Sequence, residues 1–121
     1  MRYPWRELKE TEMRLLAQRR KGRLHPATIG KLRRLISTCA GHKNAQHSIC
    51  FHGAMALACE AAKDLPVAIR YRKTEVRLIC RLHDLIKQNP KDHPALVNYG
   101  RRDLAERRKI LNELKLKEES L

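Results

Sequence analysis

VAIRYRKTEVRLICRLHDLIKQ, residues 67–88, is the stretch whose spacing decides the fold. Ala68, Tyr71, Leu78, Ile79, Leu82, Leu85 and Ile86 recur at steps of three and four, the period of an amphipathic helix. Between them Arg70, Lys73, Arg77 and Arg81 follow the same steps, which sets neighbouring charges about 5–6 Å apart along one helix face. The turn Asn89-Pro90-Lys91-Asp92-His93-Pro94 closes this arm and opens a second one. Asp92 or a neighbour suits an N-cap and Pro94 suits a first helical position. The second arm is expected to carry Leu104, Leu111 and Leu114 inward and Arg101, Arg102, Arg107, Arg108 and Lys109 outward. Residues 67–121 therefore read as a basic helical hairpin, which residues 1–66 are expected to support.

Three further helices precede the hairpin. The first runs from Trp5 to about Lys21 with Trp5, Leu8, Leu15 and Leu16 as its apolar edge, and Gly22 is placed to end it in the left-handed conformation. Arg19-Arg20-Lys21-Gly22-Arg23 is the densest basic spot in the chain, and the same cations also suit a helix C-terminus. The N-terminal residues are Arg-rich, but Glu7, Glu10 and Glu12 disfavour a targeting peptide and favour a mature helix. After His25-Pro26, a helix over about Ala27–Cys39 sets Ile29, Leu32, Leu35, Ile36 and Cys39 on one side. A third, about Ala45–Lys63, is rich in small residues (Gly53, Ala54, Ala56, Ala58, Ala61, Ala62), so neighbours can approach it closely and it is expected to be the most buried. Asp64-Leu65-Pro66 separates it from the hairpin. The expected fold is all-α: one domain, residues 1–121, a compact bundle of about five helices.

Charge limits the partners. The 121 residues carry a formal net charge of +14 and a sequence pI near 10.2, an excess that suits a polyanion. It is unevenly placed: residues 1–40 hold eleven Lys or Arg against three acids, 41–66 two against two, and 67–121 fourteen against eight. At 42% hydrophobic residues the chain has enough apolar side chains for a core, so the cations coat a folded body rather than a disordered tail. The longest apolar candidate, Ala45 to Ala62, is interrupted by Gln46, His47, Ser48, His52 and Glu60, and no membrane span is expected.

Cysteine and histidine admit a metal reading. Cys39, His42, His47 and Cys50 could supply two thiolates and two imidazoles to a tetrahedral zinc, although their spacing is not that of a standard finger. Cys50, Cys59 and Cys80 fall inside expected helices, where free thiols pack as small apolar groups, and this favours no metal and no other cofactor. The chain lacks a Gly-rich phosphate loop, a nucleophile elbow and an H-E-x-x-H pair, so no enzymatic activity and no small-molecule substrate are expected. Four cysteines in a helical chain without a disulfide pattern fit a reducing compartment.

The segments Leu78-Ile79-Cys80-Arg81-Leu82-His83-Asp84-Leu85-Ile86, Lys91-Asp92-His93 and Arg107-Arg108-Lys109-Ile110-Leu111-Asn112-Glu113-Leu114-Lys115 together resemble the core hairpin of the fifteenth protein of the bacterial and organellar small ribosomal subunit. The family turn reads K-D-H-H-S-R-R; here Pro94 and Ala95 stand at its second His and its Ser. The resemblance spans about Thr74 to Lys117 and implies a helical binder of ribosomal RNA, packed among neighbouring ribosomal proteins. Its departures from the bacterial pattern point to a mitochondrial or other organellar ribosome, with the cytoplasmic ribosome as the alternative. The basic helix faces are expected to meet RNA phosphates through Arg70, Lys73, Arg77 and Arg81 and through Arg101, Arg102, Arg107, Arg108 and Lys109, while the turn Lys91, Asp92 and His93 is expected to place the RNA. Two other readings fit the residues: a helical adaptor for acidic protein partners, and a zinc-stabilised DNA-binding module.

Overall fold

Capping chemistry divides the chain into five helices. In a computed structural model these are α1 (Trp5–Arg20), α2 (Pro26–Cys39), α3 (Ala45–Ala61), α4 (Leu65–Gln88) and α5 (Val97–Glu119). The structure describes residues 4–41, 45–89, 91 and 97–121, with the side chains at 45, 46 and 97–103 outside the description. Helix α1 ends in a Schellman motif: Gly22 N–H donates to the Arg19 carbonyl at 2.9 Å and Arg23 N–H to that of Gln18 at 3.1 Å. Gly22, at φ +85°, occupies the left-handed position as its sequence context predicts. Helix α2 opens on Pro26, whose missing N–H costs nothing in a first turn. Asp64 accepts the Val67 N–H at 3.5 Å and caps α4.

The C-terminus of α3 repeats the α1 motif with the wrong residue for it. Lys63 N–H donates to the Glu60 carbonyl at 3.0 Å and Asp64 N–H to that of Cys59 at 2.9 Å. Lys63 thereby takes φ +62°, the one positive φ at a non-glycine residue among those described. A Cβ in this conformation crowds the following carbonyl oxygen and costs about 1–2 kcal/mol.

Helix α3 packs against α1, α2 and α4, and α4 packs against α5. Its Ile49, Cys50, Phe51, Gly53, Ala54, Ala56, Leu57 and Ala58 are all buried, more positions than any other helix contributes among the described residues. Glu12 of α1 meets α3 beside Cys50 and Gly53, and one to two turns further on Arg19 meets Glu60 and Glu113. Both sequence orders rise together, so α1, α3 and α5 run the same way and α2 and α4 run back between them. The core joins Leu8, Leu15 and Leu16 of α1, Leu32, Leu35 and Ile36 of α2, Phe51, Ala54 and Leu57 of α3, Ala68 and Ile69 of α4, and Ile110, Leu111 and Leu114 of α5.

The apolar stripe expected on α4 is rotated in the structure. Ala68, Ile69, Arg72, Glu75, Ile79 and Ile86 are buried, Tyr71, Leu78 and Leu82 are half-buried, and Leu85 is 51% exposed. Two charged residues occupy the inner face because they complete an ionic quartet at the centre of the bundle. Arg107 Nη2 donates to Glu12 Oε1 at 2.6 Å, Arg107 Nε lies 2.8 Å from Glu75 Oε2, and Arg72 Nη1 donates to Glu75 Oε1 at 2.8 Å. Each of the four side chains is 0–1% exposed. Two carboxylates and two guanidiniums cancel, so the group carries no net charge into the interior.

Gly53 makes room for this group. A Cβ there would lie within 2.2 Å of Glu75 Oε2 and 2.7 Å of Glu12 Oε1. These oxygens belong to carboxylates tied to buried arginines and cannot swing away freely. Gly53→Ala is expected to destabilise the fold by about 2–4 kcal/mol, as overpacking combined with disruption of the ion pairs. Arg107→Met should cost about 3–5 kcal/mol because it leaves two buried carboxylates sharing one arginine. Urea titrations followed by far-UV circular dichroism check both; a loss under about 0.5 kcal/mol for either variant would remove the quartet from the determinants of stability.

Candidate nucleic-acid interface

The outward side of α4 carries a row of cations. Arg70, Lys73, Arg77 and Arg81 are all exposed, and none of them has an ion-pair partner among the described residues. The neighbouring acid on that side is Asp84, also exposed, because Glu75 is turned into the core. Elsewhere some cations are matched, Arg6 with Glu10, Lys31 with Glu7, Arg20 with Glu106, and Arg19 with both Glu60 and Glu113, while others such as Arg14, Arg34 and Lys115 are exposed with no ion-pair partner among the described residues. What sets the α4 row apart is its spacing: four uncompensated cations follow one another at helical steps along a single face.

Three consecutive basic residues of α5 point in three directions. Arg107 is buried in the quartet, which corrects its expected place on the outward face. It sits three and four residues before Ile110 and Leu111, and its helical position therefore faces the core. Arg108 is exposed and reaches across to α4, where its Nη2 donates to Cys80 Sγ at 3.4 Å. Lys109 lines a groove of about 490 Å³ between α1 and α5 together with Arg20, Glu106 and Glu113, away from the α4 row.

Arg108 completes the cationic surface in a way that the sequence did not disclose. Lys73, Cys80 and Lys87 lie seven residues apart, two turns each, and so share one line along α4. The guanidinium brought onto Cys80 from α5 fills the gap between the two lysines. Lys87, exposed at the end of this line, was missed as a site residue. Its signal was its offset of seven from Cys80. From Lys73 to Lys87 the line extends about 21 Å along the helix, at 1.5 Å per residue. Lys91 is exposed. Asp92 and His93 lie outside the described residues, as do the side chains of Arg101 and Arg102.

The possible zinc ligands have other occupations. Cys39 is buried in the apolar core. The His47 ring stacks on Trp5, with centroids 4.2 Å apart and an interplanar angle of 11°. The Cys50 thiol donates to Glu12 Oε2 at 3.6 Å; burial, reinforced by the Glu12 charge, pushes its pKa far above the ordinary thiol value and holds it as the neutral donor. His42 lies outside the described residues, and among those described no group of three or more His, Cys, Asp or Glu side chains is placed to hold a metal ion. Among the described residues no helix is long and apolar enough to cross a membrane.

Comparison of the chain with protein-family models, with curated proteins and with solved structures finds no match in any of the three. The site therefore rests on its own geometry.

The α5 scaffold that carries Arg108 is held to α1 by Glu106, which accepts from Arg20 Nε at 2.7 Å and Nη2 at 2.9 Å. This bidentate hydrogen bond lowers the Glu106 pKa from its ordinary value despite some opposing desolvation. A carboxylate with a depressed folded-state pKa stabilises the fold above its unfolded pKa of about 4.3 and loses that contribution as pH falls through the folded value. Glu106→Gln should melt below wild type at pH 7, and the difference should shrink as pH falls below about 4. A difference in melting temperature that is constant from pH 7 to pH 3 would deny the ion pair this role.

Proposed function

We propose that the protein is a non-catalytic RNA-binding component of a ribonucleoprotein, of the small-ribosomal-subunit kind that its hairpin resembles, and in an organellar ribosome. The observation that carries this reading is the uncompensated cationic row of α4, extended by Arg108 from α5. Phosphates spaced along a strand meet such a row with one cation each, and every contact releases condensed counterions, which supplies affinity without regard to sequence. Arginine serves the row well because its planar fork grips a phosphate through two parallel N–H donors. Placement on a particular RNA would come from the segment Lys91-Asp92-His93, whose polar side chains suit the 2′-hydroxyls and base edges of a shallow groove. Asp92 supports this division of labour: an acid adds nothing to general attraction for a polyanion. Ribosomal RNA and adjacent ribosomal proteins are the partners this reading assigns.

Replacing Arg77 and Arg81 together with Ala should weaken RNA binding across sequences and reduce the slope of log K against log salt by about one to two. Both side chains are exposed, so the fold should be unchanged. Binding titrations at several salt concentrations measure the slope; an unchanged slope removes the α4 row from the interface, and a wild-type protein that prefers acidic peptides to RNA removes the function.

Asp92→Ala combined with His93→Ala should leave that slope nearly unchanged and lower the preference for RNA recovered by crosslinking in native extract over random RNA. If the wild-type preference is retained, the turn does not place the protein.

A further inference from the structure

A second basic surface lies away from α4. A groove of about 680 Å³ opens where the C-terminal ends of α1 and α3 meet the start of α2 and the last turns of α5, and no α4 residue lines it. Its two acids, Glu60 and Glu113, are both engaged by Arg19: Nε lies 2.9 Å from Glu60 Oε2 and Nη1 3.0 Å from Glu113 Oε2. That bridge ties α1, α3 and α5 together beneath the groove and leaves its three groups with one net negative charge, which the surrounding cations outweigh. Around it stand Arg23, Arg33, Lys63 and Lys117, all exposed and none with an ion-pair partner among the described residues. Helices α2 and α5 and the segments that follow α1 and α3 deliver these cations to one concave site, where fields of one sign reinforce each other.

Lys63 adds an argument of a different kind. It occupies the left-handed position of a Schellman motif, the place that Gly22 fills at the end of α1. Glycine would take that position without strain. The lysine side chain is exposed and lines the groove, so packing does not account for it. The strained backbone thus places an exposed ammonium group beside three other uncompensated cations.

We infer that this groove holds a second segment of RNA backbone, so that the protein bridges two RNA segments, one on α4 and one at the end of the bundle. The inference rests on the RNA-binding reading of the α4 face. Phosphate is the matching chemistry: the groove offers two guanidiniums and two ammonium groups, and its two carboxylates are already paired. The groove and the α4 row draw on different helices apart from α5, so occupation of one leaves the other open.

The test uses the full chain and two copies of one short RNA stem-loop, labelled with donor and acceptor dyes, with protein limiting. Wild type should bring the dyes together and give energy transfer at low salt. Arg33→Ala combined with Lys117→Ala should bind a single stem-loop through α4 with near-wild-type affinity but bind the second roughly ten- to thirtyfold more weakly, as two lost phosphate contacts imply. Energy transfer should fall accordingly. Lys63→Gly should act in the same direction and melt at a higher temperature than wild type, a combination that a purely structural lysine would not produce. Lys63→Gly also keeps the test decisive if the double variant fails to fold. Undiminished energy transfer in Lys63→Gly overturns the bridge, as does a groove that loses affinity for a poly-glutamate peptide while still bridging RNA. If wild type binds no stem-loop at all, the RNA reading itself fails, a result distinct from single-site binding without bridging.

Discussion

Four charges in a dry interior set the terms for the rest of this bundle. Glu12, Arg72, Glu75 and Arg107 come from α1, α4 and α5 and meet beside the bare backbone of Gly53 on α3. An apolar core tolerates small sliding of one helix on another, since one hydrophobic neighbour can replace another. Ion pairs at 2.6–2.8 Å do not tolerate it. Slipping α5 by one residue would carry Arg107 about 100° around its axis and strand two carboxylates. The quartet is costly as a source of stability, because Arg72 Nε and Nη2 have no hydrogen-bond acceptor among the described residues. What it supplies is registry: it fixes which side of α4 and α5 faces inward, and so which cations face out.

Those outward cations differ from the charges that tie helices together. Arg19 and Arg20 act as tie rods between helices, and their carboxylate partners are held on α3 and α5. The rows on α4 and around the end groove have no such partners. Like charges held close repel one another, and the folded state carries that repulsion as a standing cost. A polyanion relieves it on contact.

Several helix boundaries are legible in the sequence: Gly22, Pro26, and Asp64 with Pro66 fall where the structure begins or ends an element. The inward faces are less legible, since hydrophobicity alone does not mark burial where charged side chains pair in the core. Arg107 looked like one member of a basic run, yet it shares a face with Ile110, Leu111 and Leu114. Glu12 lies four residues after Leu8 and three before Leu15, and Arg72 lies seven before Ile79, so both also stand in apolar register. Charged residues of both signs in core positions, together with a glycine inside an alanine-rich helix, were the available signal. Arg108 on Cys80 and the four cations of the groove were beyond any single-helix reading, because each depends on how separate helices align. The strain at Lys63 is a backbone angle, which residue type alone does not reveal.

The separation between Glu12 and Arg107, 95 residues in the chain, bears on the order in which the molecule is made. A nascent chain grows at about 5–20 residues per second, so α5 follows the middle of α4 by about 2–6 s. During that interval α1, α3 and α4 can already associate, but their shared interior holds two carboxylates and one guanidinium. The half-built centre bears a net negative charge and must stay wet. Arg107 of α5 supplies the second guanidinium, so the charge at this centre balances only once α5 is in place.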